Sequence, residues 1–127
     1  MSEIAQHALA TAQRLEHLLE QEFQALRARD LPQLERLTEA REALLAQLLY
    51  LKQTQQQAWP SAAFSEARAR VDHCQTLHKR NELLLARQLD AVRQALGALQ
   101  KSSDDADLYD RLGQLARRRA QLFKNDA

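Results

Sequence analysis

From Ala67 to Leu99 the chain carries one unbroken helical seam, and few architectures can accommodate it. Alternate steps of four and three from Ala67 land on Val71, Cys74, His78, Asn81, Leu85, Gln88, Val92, Ala95 and Leu99. Leu77, Leu84, Leu89 and Leu96 widen the same stripe. No proline interrupts it, and Gly97 is its only glycine, near the end. A stripe of this kind is buried by other helices. Its polar members, His78, Asn81 and Gln88, are the register-setting positions, because a polar residue in a helix seam fixes alignment and partner at some cost in stability.

The rest of the chain is built from the same material. Two Gly and two Pro in 127 residues leave little for turns, and Leu, Ala, Gln, Arg and Glu dominate, so the expected fold is all-α. Lys and Arg number 18 against 17 Asp and Glu, which gives no general attraction to nucleic acid or to an anionic lipid surface. Cys74 is the single cysteine, so no disulfide framework exists and a reducing compartment is expected. The opening Met-Ser-Glu-Ile-Ala-Gln-His lacks the basic-then-apolar pattern of a secretory signal, and no apolar run approaches the ~20 residues that span a bilayer. A cytoplasmic protein without membrane insertion is the expectation.

The first helix is predicted from about Ser2 to Arg29, with Ser2 as its cap and Glu3 at the positive end of the dipole. Ile4, Ala8, Ala12, Leu15, Leu18, Leu19, Phe23 and Leu26 fall in one stripe, and Glu22 points into it without an evident reason. Asp30-Leu31-Pro32-Gln33 is a turn: proline suits a helix opening, with Asp30 capping and Gln33 completing a capping-box-like pair. The second helix carries Leu34, Leu37, Leu44, Leu45, Leu48, Leu49, Gln55 and Trp59 on one side. Arg41 and Lys52 lie near the centre of that side, their stems packing while their charges reach water. Trp59-Pro60-Ser61 ends this helix, since the residue before proline is pushed out of helical geometry.

These lengths predict three antiparallel helices, an up-down-up bundle over residues 1–100, with the third outrunning the hairpin by ~15 Å. The overshoot bears Val92, Ala95, Leu96 and Leu99. After the polar break Lys101-Ser-Ser-Asp-Asp, residues 101–127 form an amphipathic C-terminal tail with Leu108, Leu112, Leu115 and Leu122 on one face and Tyr109 and Phe123 beside them. Gly113 weakens this segment by ~1 kcal/mol relative to alanine, so it is expected to order on contact with something. The cover for the two strips is the tail itself, a second copy in a weak homodimer, or a client.

Chemistry-bearing patterns are sparse. Cys74 and His78 stand four apart with His73 adjacent, but a metal needs three or four ligands and His7 and His17 lie on another helix. The plain reading is a buried thiol beside a register-setting histidine, with no metal and no cofactor. A glycine-rich phosphate loop is absent, and Arg117-Arg118-Arg119 reads as a solvated helix face. Nothing points to an enzyme.

Three pieces of the chain, in order, resemble the flagellar export chaperone FlgN family. The first is Glu22 to Leu49, with Leu26, Asp30, Leu34, Leu37, Leu44, Leu45, Leu48 and a basic residue at Arg41. The second is Leu77 to Leu99, with Asn81-Glu-Leu-Leu-Leu resembling the family's Asn-rich stretch. The third is Leu108-Tyr109-Asp110-Arg111-Leu112-Gly113, similar to a Tyr-Asp-x-x-Gly element. Leu112 beside the glycine and the Leu- and Arg-rich ending depart from the family pattern. The resemblance implies a chaperone that holds hook-associated (hook–filament junction) proteins and hands them to the flagellar type III export apparatus. By the same resemblance the client site falls on the tail, with Tyr109 also facing the export gate. Joined to the overshoot, this makes the candidate site Val92, Leu96, Leu99, Leu108, Tyr109, Leu112, Leu115, Leu122 and Phe123. The alternative is a coiled-coil adaptor whose overshoot only oligomerises.

Overall fold

The computed structural model describes residues 2–98 and 103–124, without the side chains of residues 98, 103, 105 and 121–124. Every regular element in it is helical: α1 (Glu3–Ala28), α2 (Leu31–Thr54), a 3-10 turn (Ala62–Phe64), α3 (Ser65–Ala98) and α4 (Ser103–Lys124). The protein is an all-α helical bundle. No helix among the described residues is long and apolar enough to cross a membrane.

Local chemistry sets the ends. Ser2 caps α1, its hydroxyl accepting from the Ala5 N–H at 3.1 Å. α1 closes with Arg29 in the left-handed region at φ 56°, where its N–H reaches the Leu26 carbonyl and the Asp30 N–H reaches that of Ala25. Those two bonds form a Schellman closure, normally completed by glycine. One residue later Asp30 caps α2, its carboxylate accepting from the Gln33 N–H at 3.2 Å. The expected reciprocal half of a capping box is not made. Arg36 takes the Gln33 side-chain oxygen instead, at 2.8 Å.

α2 ends at Thr54, ahead of the expected Trp59, and residues 55–60 wind through turns. Trp59 tilts against Phe64 with ring centroids 5.4 Å apart, and Phe64 is buried with Ala5, Ala8 and Ala67. Arg68 fastens this corner, donating from one nitrogen to the carbonyls of Trp59 and Ser61. Beyond Thr54 the backbone turns on bonds from the Ala58 and Trp59 N–H groups to the Gln55 carbonyl and from the Ser61 N–H to that of Ala58. The third helix accordingly starts at Ser65 and is 34 residues long, against 26 for α1 and 24 for α2.

The chain divides into two compact units, Met1–Lys79 and Arg80–Ala127, and α3 runs unbroken through the division. In the first unit α1 and α2 pack antiparallel and the opening half of α3 returns alongside α1, giving up-down-up order. Ala12 meets Cys74 and Glu16 meets Arg70 and His73 across α1 and α3. Leu15, Leu19, Leu26, Leu34, Leu45 and Leu77 fill the interior, each contributing about 1.5–3 kcal/mol by its removal from water. In the second unit the closing half of α3 and α4 form an antiparallel hairpin, with residue 82 opposite 119 and 93 opposite 109.

Candidate functional site

Among the described residues, polar groups collect in a buried trio inside the first unit, with a second cluster near the surface beside it, and along the hairpin of the second.

The trio takes one residue from each helix of the first unit. Glu22 of α1 and Arg41 of α2 are both fully buried, with Arg41 Nε 3.4 Å from Glu22 Oε2. On the other side Arg41 Nη1 lies 2.8 Å from Nδ1 of His78, which is 7% exposed. A guanidinium has no acceptor, so it donates and the Nδ1 lone pair receives. His78 is therefore the neutral imidazole carrying its proton on Nε2. The sequence expectation that Arg41 sends its charge to water is corrected here. A carboxylate and an imidazole satisfy that charge inside the core, which also explains why Glu22 interrupts an apolar stripe.

Beside the trio Cys74 is fully buried, its Sγ 3.6 Å from the Ala12 carbonyl, and burial pushes its thiol up to about 12. Such a thiol is neither a nucleophile nor a ready metal ligand. Nearer the surface, Glu16 accepts from His73 Nδ1 and from Arg70, each at 2.9 Å. The His73 bond, ahead of the arginine, holds the Glu16 carboxyl below its ordinary value.

The hairpin brings together most of the residues that the sequence marks for a client. Val92 and Leu96 of α3 are partly buried, and so is Tyr109 of α4. Leu112 and Leu115 are buried at 6% and 4%, whereas Leu108 stays 36% exposed. Leu99 lies outside the described residues, as do the side chains of Leu122 and Phe123. The tail is a helix of 22 residues laid back along α3, in which Leu112 and Leu115 are buried while Ala95 of α3 and Leu108 of α4 stay exposed.

Polar contacts fix that pairing. Arg119 is fully buried and gives Nε–H to Glu82 at 2.5 Å. The sequence reading of Arg117–Arg119 as a solvated face fails at this one position, because its third arginine turns inward. Farther along, Arg93 donates from Nε to the Tyr109 hydroxyl at 3.3 Å, and its guanidinium carbon sits 5.9 Å from the ring centre. Between these ties lies a cleft of about 230 Å³ lined by Leu89, Arg93, Tyr109, Gly113, Gln114 and Arg117. That is below the ~300 Å³ at which small-molecule pockets begin.

Of the register-setting positions, His78 and Asn81 are buried and Gln88 is partly so. Asn81 Oδ1 accepts from its neighbour Arg80 at 3.2 Å. Glu22, Arg41, Glu82 and Arg119 were missing from the candidate set. Glu22 and Arg41 did carry a signal, each being a charge at the centre of an apolar face.

The fold and its contacts define a helical bundle with a polar lock and an antiparallel tail hairpin. Comparison with protein-family models, curated proteins and solved structures gives no match.

Proposed function

We propose that this chain is a non-catalytic export chaperone of the flagellar type III system, acting in the cytoplasm, that binds helical segments of hook-associated proteins and passes them to the export apparatus. The observation that carries this reading is the α3–α4 hairpin, in which Val92 and Leu96 share a compact unit with Leu108, Tyr109, Leu112 and Leu115. An antiparallel pair with a graded apolar face, from buried Leu112 to exposed Leu108, is the kind of surface on which an amphipathic helix docks through residues spaced three and four apart. The order of the three sequence pieces and the position of the Leu108–Gly113 element on α4 support the same reading.

The test is capture of purified hook–filament junction proteins by the intact chain and by Leu108→Asp and Tyr109→Ala variants. Both positions are accessible enough to change without cutting the core. Capture should fall at least tenfold in both variants while their thermal unfolding stays within a few degrees of the parent. Full capture by both variants would remove the site from α4.

A further inference from the structure

We propose that Glu22, Arg41 and His78 form an acid-sensitive lock that loosens the three-helix unit as the pH falls through the histidine range. The inference rests on donor and acceptor geometry. Arg41 Nη1 and His78 Nδ1 are 2.8 Å apart and both side chains are buried. Because arginine can only donate, the bond exists only while Nδ1 is unprotonated.

Charge points the same way. With Glu22 ionised, Arg41 cationic and His78 neutral, the trio sums to zero inside the core. A proton on Nδ1 places a second cation against the guanidinium, breaks the bond and leaves one positive charge in excess where burial makes it costly. The charged groups that bear on His78 are Glu22 from α1, Arg41 and its neighbour Glu42 from α2, and Lys79, Arg80 and Glu82 within a turn of it on α3. Glu82 is engaged by Arg119. Glu42 has one carboxylate oxygen buried.

The consequence is mechanical. The trio is contributed by all three helices of the unit, so a single protonation breaks the bond between α2 and α3 and unbalances the charge of the Glu22–Arg41 pair that joins α2 to α1. The unfolded chain takes up a proton at a free histidine below about pH 6.5, whereas the locked form does not. Stability therefore falls as pH drops through that region, the folding constant changing by up to tenfold per unit. His73, paired with Glu16, is present in both proteins compared below, so whatever it contributes cancels.

The full chain and its His78→Asn variant are to be unfolded in urea at pH 7.5, 6.5 and 5.5. Asparagine keeps an acceptor close to the Nδ1 position and does not titrate. From pH 6.5 to 5.5 the wild-type folding constant should fall about fivefold relative to that of the variant. In parallel, long-range proton–nitrogen spectra of the wild-type imidazoles need no variant to fold. They should show His78 as the Nε2–H tautomer at pH 6, with Nδ1 unprotonated until the fold is lost. Parallel urea curves for the two proteins would overturn the proposal. So would a His78 ring that becomes imidazolium while the helices remain intact.

Discussion

Arg119 Nε lies 2.5 Å from Glu82 Oε1, and the arginine that makes this contact is wholly shielded from water while the glutamate keeps a quarter of its side chain exposed. The pair stitches α4 to α3 through a hydrogen-bonded charge that has lost its hydration. Arg119→Met should loosen α4 by about 1–3 kcal/mol, less than for a fully enclosed pair because Glu82 can recover water. Hydrogen exchange checks this: amides of residues 108–119 should exchange at least tenfold faster, while those of α1 and α2 are unchanged.

Glu22 and Arg41 are a stricter case, since neither has access to solvent. Glu22→Gln should destabilise the protein by about 3–5 kcal/mol by leaving the guanidinium charge without its acid. Replacing the trio together, as Glu22→Leu, Arg41→Met and His78→Leu, should recover most of that loss. Urea unfolding at pH 7.5 distinguishes the two outcomes. A triple variant less stable than the single one would mean that shape, rather than charge, holds the junction.

Much of the fold was legible in the sequence, and the reasons are physical. Leucine spacing fixed the helices, and Ser2 and Asp30 fixed two of their starts, because a cap acts within one turn of chain. The end of α2 was not legible. It falls five residues before Trp59, in a stretch that closes through turns and whose Trp59 ring packs on Phe64, beyond what the proline alone specifies. The candidate site was legible as a set of apolar faces but not as a pairing. Which arginine turns inward is decided by where Glu82 stands on another helix, so Arg119 looked like its neighbours. Glu22 and Arg41 each looked anomalous alone; only their meeting explains either one.

Glu16 gives a pH prediction of its own. Its folded carboxyl is held below the ordinary 4.5, chiefly by the bond from His73. Its contribution is thus fully present above that ordinary value and is lost as pH falls through the lower folded one. Glu16→Gln should lower stability across the whole range above pH 4.5, pH 7 to 8 included, and flatten the acid limb below it. Thermal melts across pH 3 to 8 read both.

Cys74 should be silent in the native protein. With its thiol pushed up to about 12 and no exposed surface, alkylation at pH 8 should be undetectable before unfolding and complete after it. Mass spectrometry across a urea series should give a modification curve that overlays the unfolding curve.

Three backbone positions offer stability gains. A Cβ at Gly97 meets nothing within 4 Å, and at Gly113 only an arginine nitrogen at 3.6 Å, so alanine fits both. Each change should stabilise its helix by about 0.5–1 kcal/mol. Arg29 carries the opposite mismatch, a side chain in left-handed geometry. Arg29→Gly should add up to about 1 kcal/mol by relieving it. Melting temperatures a few degrees higher would confirm each change, and a drop would mean the Arg29 side chain holds something worth more than the strain.

The passage of α3 through both compact units has a consequence for how the molecule can be taken apart. Most proteins with two units join them by a loop that can be cut, lengthened or exchanged. Here the join at Lys79 and Arg80 is mid-helix, and a cut there strands four carbonyls on one side and four N–H groups on the other. Neither half has a natural end. Inserting one residue at this point would also rotate everything after it by about 100° relative to everything before. The division between the units is therefore not a place where the chain can be cut or lengthened without cost to both.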